Sequence, residues 1–264
     1  MFGFLFKSRR RRRLVAQPFP DAWETVVQHN VQHWAFLDDD EQRRLRDLIK
    51  IFVAEKTWEF CGGLTESDEA KVTVAAQACL LTLNLDVNDY PNVTSIILYP
   101  SGYFADDEEE IGEDGFIVVE RSARLGEAHT YGPVVLAWDE VKRSGRRPTD
   151  GTNLVYHEFA HKLDMLAGDA DGFPELPDRA AYERWREVMR HEYQRLCDRA
   201  DRGQRTLLDP YGCENAAEFF AVAVECFFDR PQPLEHLHPE LYEVLRDYFR
   251  QDPAKWARRR EAAQ

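Results

Sequence analysis

Residues 157–164 read His-Glu-Phe-Ala-His-Lys-Leu-Asp, and this stretch decides how the rest of the sequence is interpreted. On an α-helix, residues four positions apart lie on one face, so His157 and His161 can direct their imidazoles at one metal ion. Glu158 lies beside them, where its carboxylate can accept a proton from a water molecule at that ion. The pattern therefore predicts a helix that carries two metal ligands and a general base.

The apolar residues of the same stretch predict that the helix is buried on its other side. At about 100° per residue, Val155, Phe159 and Leu163 lie opposite the two histidines. Asp164 returns to the histidine side, where we expect it to orient one of the rings. One face of the helix should therefore pack in the core while the other lines a cleft.

A catalytic zinc ion usually has three protein ligands and one open position, so a third ligand must come from elsewhere in the chain. The long metzincin pattern requires Gly at 164 and His at 167, but the sequence has Asp164 and Ala167. Carboxylates occur instead in the helical stretch 211–225. Spacing alone leaves four candidates for the third ligand: Glu218, Glu225, Glu214 and Cys213.

Glu218 has an alternative role that the sequence leaves open. Asn215 precedes it by three residues, which is the spacing of a capping box at the start of a helix. In that arrangement the Glu218 carboxylate would accept a hydrogen bond from the backbone N–H of Asn215 instead of binding a metal. Glu218 and Glu225 lie two turns apart on similar faces, so periodicity does not choose between them.

The order of the elements predicts an α+β fold, mostly helical with a small mixed β-sheet. Two groups of helices enclose a cluster of short strands, and the acidic run 106–110 between two of those strands is interpreted as a solvated loop. The expected helices span 21–34, 38–53, 67–81, 152–166, 178–199, 215–228 and 239–250, and the expected strands span 93–99, 116–120 and 133–138. No linker divides the chain, so we expect a single domain over residues 18–264.

The composition limits the class of protein. The 264 residues include 34 Lys and Arg against 48 Asp and Glu, which gives a net charge of −14. That charge disfavours direct binding of nucleic acid, which needs a basic face. No apolar run reaches the roughly 18 residues of a membrane-spanning helix. Five cysteines without C-x-x-C spacing are typical of a reducing compartment, so we expect a cytoplasmic protein.

The basic residues concentrate at the start of the sequence. Lys7 and Arg9–Arg13 give residues 1–13 six basic side chains and no acidic one, which leaves 28 basic against 48 acidic residues in the remainder. We interpret residues 1–17 as a disordered basic arm. The alternative is a weak contact with an anionic surface, either a membrane or a nucleic acid. The apolar residues precede the basic run, which is the reverse of a secretory signal, so export is not expected.

These motifs resemble the Mlc titration factor A family of zinc metallopeptidases. The resemblance extends over most of the chain from about residue 19, and it is carried by short strings of sequence. Those strings are residues 157–164, Gly168, Gly172-Phe-Pro174, Leu208-Asp-Pro-Tyr211, Ala217-Glu-Phe-Phe-Ala-Val222, Glu225-Cys-Phe-Phe228, Tyr99-Pro-Ser-Gly102 and 132–139. The spacing of Tyr211 to Glu218 also resembles the catalytic domain of anthrax lethal factor.

The resemblance implies a zincin-like fold with a gluzincin-type site. His157, His161 and Glu218 would bind one zinc ion per chain, Glu158 would act as the general base, and Tyr211 would assist at the oxyanion. It also implies peptidase activity of an aminopeptidase kind, and binding of the glucose-responsive repressor Mlc, through which sugar uptake would be regulated.

Two functions from different classes follow as hypotheses. The first is hydrolysis of a peptide or protein substrate, with the extended substrate pairing with strand 133–138 as an edge strand. The second is a regulatory binding protein that sequesters a transcription regulator, with hydrolysis secondary. An intact ligand set with Glu158 beside it favours the first hypothesis, because a purely structural metal needs no base at an open position.

Overall fold

A computed structural model describes residues 2–85, 90–111, 117–124, 126–128, 132–147, 151–256 and 258. The α-helices are α1 (Phe2–Ala16), α2 (Asp21–Asn30), α3 (Asp39–Glu55), α4 (Asp68–Leu81), α5 (Trp138–Arg146), α6 (Leu154–Asp164), α7 (Arg179–Asp201), α8 (Ala216–Asp229), α9 (Pro231–Leu237) and α10 (Pro239–Phe249). Short 3₁₀ helices form at Gln32–Phe36 and Pro210–Cys213. The architecture is α+β and mostly helical, as the sequence predicts.

The strands form a four-stranded sheet and a separate hairpin. They are β1 (Thr57–Phe60), β2 (Val93–Tyr99), β3 (Tyr103–Ile111), β4 (Ile117–Arg124), β5 (Gly126–Ala128) and β6 (Gly132–Ala137). The sheet order is β1-β2-β6-β5, in which β1, β2 and β6 run parallel and β5 pairs antiparallel with β6. Strands β3 and β4 pair antiparallel with each other. Strand β5 thus lies at one edge of the described sheet, on the side that contacts α6.

Two predictions for the region of the strands are wrong. The predicted edge strand at 133–138 is β6, which lies between β2 and β5, so its backbone groups already bond to two neighbours. The acidic run 106–110 belongs to β3 and not to a loop, because pairing with β4 supplies its backbone hydrogen bonds whatever the charge of its side chains. The predicted strand at 116–120 corresponds to β4, although residue 116 lies outside the described residues.

Helices α4 and α8 form the centre of the core. Every residue from Val72 to Leu81 in α4 is buried, as is every residue from Phe219 to Asp229 in α8. A helix that is apolar on nearly all sides can only be stable inside the protein, so the other elements pack around these two. Helix α6 contacts both of them, and the core therefore fixes its position.

The start of the chain differs from the sequence prediction. The sequence predicts a disordered arm over residues 1–17, but Phe2–Ala16 forms α1, which lies against α3. The Arg11 guanidinium makes two hydrogen bonds to the Glu55 carboxylate, at 2.8 and 2.6 Å. Lys50 also donates to the backbone oxygen of Val15. These partners lie 35 or more positions away along the chain, where local sequence patterns give no sign of them.

In the described part of the chain, no helix is long and apolar enough to cross a membrane.

Candidate metal centre

Helix α6 begins at a side-chain cap and buries one face. Asn153 Oδ1 accepts a hydrogen bond from the Tyr156 backbone N–H at 3.1 Å, which satisfies one of the free donors at the helix start. Val155, Phe159 and Leu163 are buried in the core, as the periodicity of the sequence predicts. The opposite face, which carries His157 and His161, is therefore directed away from the core centre, and both imidazoles keep some exposure to solvent.

Three side-chain atoms from α6 and α8 converge at one point. His157 Nε2 lies 2.9 Å from Glu218 Oε2, and His161 Nε2 lies 3.4 Å from the same oxygen. The two Nε2 atoms are 3.2 Å apart. Among the described residues, these three form the one group of histidine, cysteine and acidic side chains with spacing suited to a metal ion.

The chemistry of these three atoms fits a bound cation. The proton of a neutral His157 is held at Nδ1 by Glu225, so its Nε2 presents a lone pair. Glu218 Oε2 is buried and has no hydrogen-bond partner. Lone pairs packed at this distance repel one another unless a positive charge lies between them. Ligand atoms about 2.0–2.2 Å from a tetrahedral zinc ion lie roughly 3.3–3.6 Å apart, which is close to the observed separations.

The pKa shifts of the same groups indicate a strong preference for positive charge. Burial would raise the pKa of Glu218, but the close contacts of its carboxylate with the two imidazoles outweigh that effect and lower the pKa to about 2. Burial would likewise lower the pKa of His157, but its contacts with Glu218 and Glu225 raise it well above the ordinary value. The field that holds a proton at this point also attracts a metal cation.

The start of α8 contains only half of the capping box that the sequence allows for Glu218. Asn215 Oδ1 accepts a hydrogen bond from the Glu218 backbone N–H at 3.0 Å, so this half of the capping box is present. The Glu218 side chain turns to the histidines instead of returning to the helix start. By contrast, Glu41 completes the box at the start of α3, where its carboxylate accepts from the Asp38 N–H at 2.9 Å.

Glu225 contacts the other nitrogen of the His157 ring. Its Oε1 lies 2.8 Å from His157 Nδ1, and its Oε2 accepts a hydrogen bond from the backbone N–H of Asn153. This carboxylate is almost completely buried, and burial raises its pKa above the ordinary value. Glu225 thus fixes the ring orientation and tautomer of His157. The sequence analysis predicted this orienting role for Asp164. From the sequence, Glu225 was a candidate only for the third metal ligand.

A chain of hydrogen bonds connects this carboxylate to the core helix α4. Asn153 Nδ2 donates to Gln77 Oε1 at 3.1 Å, and Gln77 Nε2 donates to the backbone oxygen of Val141 in α5 at 3.2 Å. Gln77, Asn153 and Glu225 are all buried. Buried hydrogen bonds thus connect Glu225, which contacts His157, to the core helix α4 through Asn153 and Gln77.

Glu158 and Lys162 lie one turn apart on the side of α6 that faces the sheet. Glu158 is only 5% exposed, and Lys162 is fully buried with its Nζ 3.5 Å from the backbone oxygen of Gly132 in β6. Burial lowers the pKa of Lys162 to about 8, although the negative charge of Glu158 opposes that shift. The general-base candidate therefore lies beside the imidazoles and close to the end of the sheet where β6 begins.

Tyr211 lies at the rim of this cluster. Its ring centroid is 6.1 Å from that of His157, and 52% of the residue is exposed. Asp209 caps the short 3₁₀ helix by accepting from the Tyr211 N–H at 2.9 Å. Tyr211 is therefore not packed in the core, and its ring lies near His157 at the protein surface.

Asp164 has a different contact from the one that the sequence predicts. Its Oδ2 accepts a hydrogen bond from the Gly172 N–H at 2.7 Å, and burial raises its pKa to about 6. Gly172 has a φ of +81°, and a Cβ at this position would lie 2.6 Å from the backbone oxygen of Ala216. Asp164 therefore holds the loop after α6 against the first residue of α8.

Two of the four ligand candidates lie outside the cluster. Glu214 is exposed, and Cys213 is a partly buried free thiol whose backbone oxygen accepts from Tyr193 Oη at 2.9 Å. Neither belongs to the converging group of His157, His161 and Glu218.

A His-Glu-x-x-His helix with a carboxylate from a second helix is typical of one class of metallopeptidases. The chain belongs to one family of that class, described as glucose-regulated metallo-peptidase M90, whose sequence profile matches residues 5–250. Membership implies a metal-dependent hydrolase.

Several relatives are similar along nearly their whole length. An uncharacterized protein of Synechocystis sp. is 36% identical over 92% of this chain and 89% of its own length. Mlc titration factor A of Pectobacterium atrosepticum is 31% identical over 88% of this chain and 86% of its own. Mlc titration factor A of Klebsiella pneumoniae is 32% identical over 86% and 84%.

Proposed function

We propose that this protein is a zincin-like peptidase of gluzincin type, with one zinc ion held by His157, His161 and Glu218. The convergence of His157 Nε2, His161 Nε2 and Glu218 Oε2, with separations of 2.9 to 3.4 Å, carries the proposal. Two imidazoles and one carboxylate are a common ligand set of catalytic zinc, and they leave a fourth position for substrate or water.

A zinc ion held by His157, His161 and Glu218 would supply a Lewis acid that polarises a water molecule and the carbonyl of the peptide bond. Glu158 accepts the proton of that water and then gives it to the leaving amine. The hydroxyl of Tyr211 donates a hydrogen bond to the oxyanion that develops on the carbonyl oxygen. Glu225 keeps His157 in the tautomer whose Nε2 is free to bind the metal.

The substrate is proposed to be an extended peptide that pairs with β5. This strand lies at the edge of the described sheet and contacts α6, so a peptide added there would pass the histidines. The similarity of the motifs to the Mlc titration factor A family supports cleavage of an aminopeptidase kind. Hydrolysis of an aminoacyl p-nitroanilide, compared with the same compound blocked at its amine, tests that preference.

A second candidate function is binding of a transcriptional repressor. The relatives from Pectobacterium and Klebsiella carry the name Mlc titration factor A, and a repressor similar to Mlc is therefore a candidate partner. Such binding could regulate sugar uptake, with hydrolysis secondary. The proposed location is cytoplasmic, where such a repressor acts and where the five free cysteines remain reduced.

The decisive experiment measures zinc content and peptide hydrolysis on the same preparations. The wild type should contain about one zinc ion per chain, and His157→Ala should lose it. Glu158→Gln should keep the zinc and lose about 10²–10⁴-fold in rate, because an amide cannot accept the proton. Glu214→Gln, an exposed change in the same region as Glu218, is the matched control and should behave as wild type.

Two results would contradict the proposal in different ways. Equal rates for Glu158→Gln and wild type would remove Glu158 from the mechanism. The regulatory function would be favoured instead if the wild type held zinc but cleaved no peptide. In that case both the wild type and Glu158→Gln should bind a repressor similar to Mlc.

A further inference from the structure

Helix α1 presents a row of arginines that the proposed peptidase site does not use. Arg9, Arg12 and Arg13 are exposed, and none of the three forms an ion pair within the described residues. At about 100° per residue, positions 9 and 13 lie nearly opposite Arg11, the residue that faces α3. The helix thus has an attached side and a basic free side.

The attached side is held by several polar contacts. The Arg11 guanidinium bonds the Glu55 carboxylate through two nitrogens, and Arg10 Nη2 donates to the Ala54 backbone oxygen at 2.8 Å. Lys50 Nζ donates to the backbone oxygens of Val15 at 2.8 Å and Gln17 at 2.9 Å. Bidentate arginine–carboxylate pairs fix orientation as well as position, so the free arginines are displayed by a docked helix.

We propose that α1 docks this protein on an anionic lipid membrane surface. The first 13 residues contain six of the 34 basic residues and no acidic one, whereas the remainder has 28 basic against 48 acidic residues. An anionic surface therefore attracts the molecule at α1 and repels most of the rest. This charge distribution sets one orientation of approach, with α1 toward the surface.

The sequence ahead of the arginines distinguishes a membrane from a nucleic acid. Phe2–Phe6 reads Phe-Gly-Phe-Leu-Phe, four large apolar residues in five, and these continue directly into Lys7 and the arginines of the same helix. A lipid interface offers an apolar layer next to its phosphates, and helices that lie on it combine aromatic residues with arginine and lysine. Phosphates of a duplex offer the charge alone.

The expected strength follows from the number of free arginines. Each basic side chain near an anionic leaflet strengthens association roughly fivefold, so three of them together contribute about 100-fold. Salt screens this attraction over a Debye length of about 8–10 Å, so the binding should weaken strongly with ionic strength. The association is peripheral and is independent of the peptidase reaction.

The test is co-sedimentation of the full chain with vesicles. Wild type should bind vesicles of mixed phosphatidylglycerol and phosphatidylcholine, and should not bind vesicles of phosphatidylcholine alone. The variant Arg9→Gln/Arg12→Gln/Arg13→Gln should weaken binding about 100-fold. The variant Arg186→Gln/Arg190→Gln/Arg202→Gln removes the same charge from exposed positions on or just after α7 and should bind like wild type. Thermal unfolding confirms that both variants remain folded.

Three outcomes would overturn the proposal. The first is equal binding of wild type to both kinds of vesicle. The second is equal loss of binding in the α1 and α7 variants, which would show a general effect of charge. The third is tighter binding to duplex DNA than to anionic vesicles at the same salt concentration, abolished by the α1 variant, which would assign the surface to nucleic acid.

Discussion

Glu225 Oε1 lies 2.8 Å from His157 Nδ1, on the opposite side of the imidazole from Glu218. Glu225 therefore contacts Nδ1 of the ring, and Glu218, two helical turns earlier in α8, contacts Nε2. Both glutamates belong to the same helix, and their spacing of seven residues lets them contact the two nitrogens of one imidazole ring. The two glutamates are expected to differ in their effects on the metal.

The three glutamates of this region should separate in a zinc titration. Glu218→Gln should weaken zinc binding most, because a neutral amide oxygen is a poor replacement for a carboxylate ligand. Glu225→Gln should weaken it by about 10–100-fold, the usual cost of losing a partner that orients a ligand. Glu214→Gln should change nothing, since Glu214 is exposed. Zinc retained against a competing chelator measures all three.

The order of these effects is the informative result. If Glu225→Gln lost zinc more completely than Glu218→Gln, the two roles would be reversed. Unchanged retention in Glu218→Gln would return that residue to a capping role.

Tyr211→Phe should lower kcat with little change in KM or zinc content. The change removes one hydroxyl from an exposed ring, so the fold should be unaffected. Loss of one donor to an oxyanion typically costs about 10²–10³ in rate. Steady-state kinetics and metal analysis provide the measurement, and a rate within twofold of wild type would exclude Tyr211 from the reaction.

Gly172→Ala should destabilise the protein and weaken zinc binding. Alanine at a φ of +81° is strained, and its Cβ would lie 2.6 Å from the Ala216 backbone oxygen at the start of α8. Gly63→Ala is the matched control, because Gly63 also has a φ of +81° but has nothing within 4 Å of the added Cβ. The control should cost about 1–2 kcal/mol from backbone strain alone. Gly172→Ala should cost at least about 2 kcal/mol more.

Urea unfolding and zinc retention measure the two effects of this pair. Equal losses in both variants would show that φ strain, and not the contact with α8, explains the requirement for glycine.

Stability should fall between about pH 6.5 and pH 4, in part because of His33. This residue is buried, with Nε2 3.0 Å from the Phe228 backbone oxygen and Nδ1 3.0 Å from Tyr156 Oη. Burial lowers its pKa to about 4, although the contact with Phe228 opposes the shift. Below pH 6.5 the unfolded chain binds a proton that the folded one does not, so stability is lost as pH falls.

The expected contribution of His33 is about 3 kcal/mol over that range. His33→Gln keeps a donor and an acceptor but cannot be protonated, so its free energy of unfolding should depend less on pH. Urea unfolding of both proteins at pH 7 and pH 5 measures the difference. Parallel losses in the two proteins would assign the pH dependence to other groups.

The helices that carry the cluster could be predicted from sequence because their signals are local. The capping pattern at Asn215 marks the start of α8, and the apolar periodicity of α6 identifies its buried face. What the sequence could not supply is the rotation of α8 about its own axis. Glu218 and Glu225 lie on similar faces, and only packing against α6 places one of them at each nitrogen of His157.

Other differences arise where contacts are long-range or elements are very short. Helix α1 lacks apolar periodicity, and its contact with Glu55 spans 44 positions of sequence. Strand β5 contains only Gly126, Glu127 and Ala128, none of which favours a strand, so β6 was assigned to the edge in its place.

The hydrogen bond from the Asn153 N–H to Glu225 also has a consequence for the rate of amide hydrogen exchange at the start of α6. That hydrogen is donated to a buried carboxylate, in a network that includes Gln77 in the core helix α4, so it can exchange only when much of the molecule opens. Tyr211 lies on a four-residue 3₁₀ helix at the surface, where local opening suffices. Deuterium uptake should therefore be slowest at the start of α6 and fast around Tyr211. The residues that would hold the metal belong to a part of the molecule that opens only globally, while the residue proposed to meet the substrate can adjust on its own.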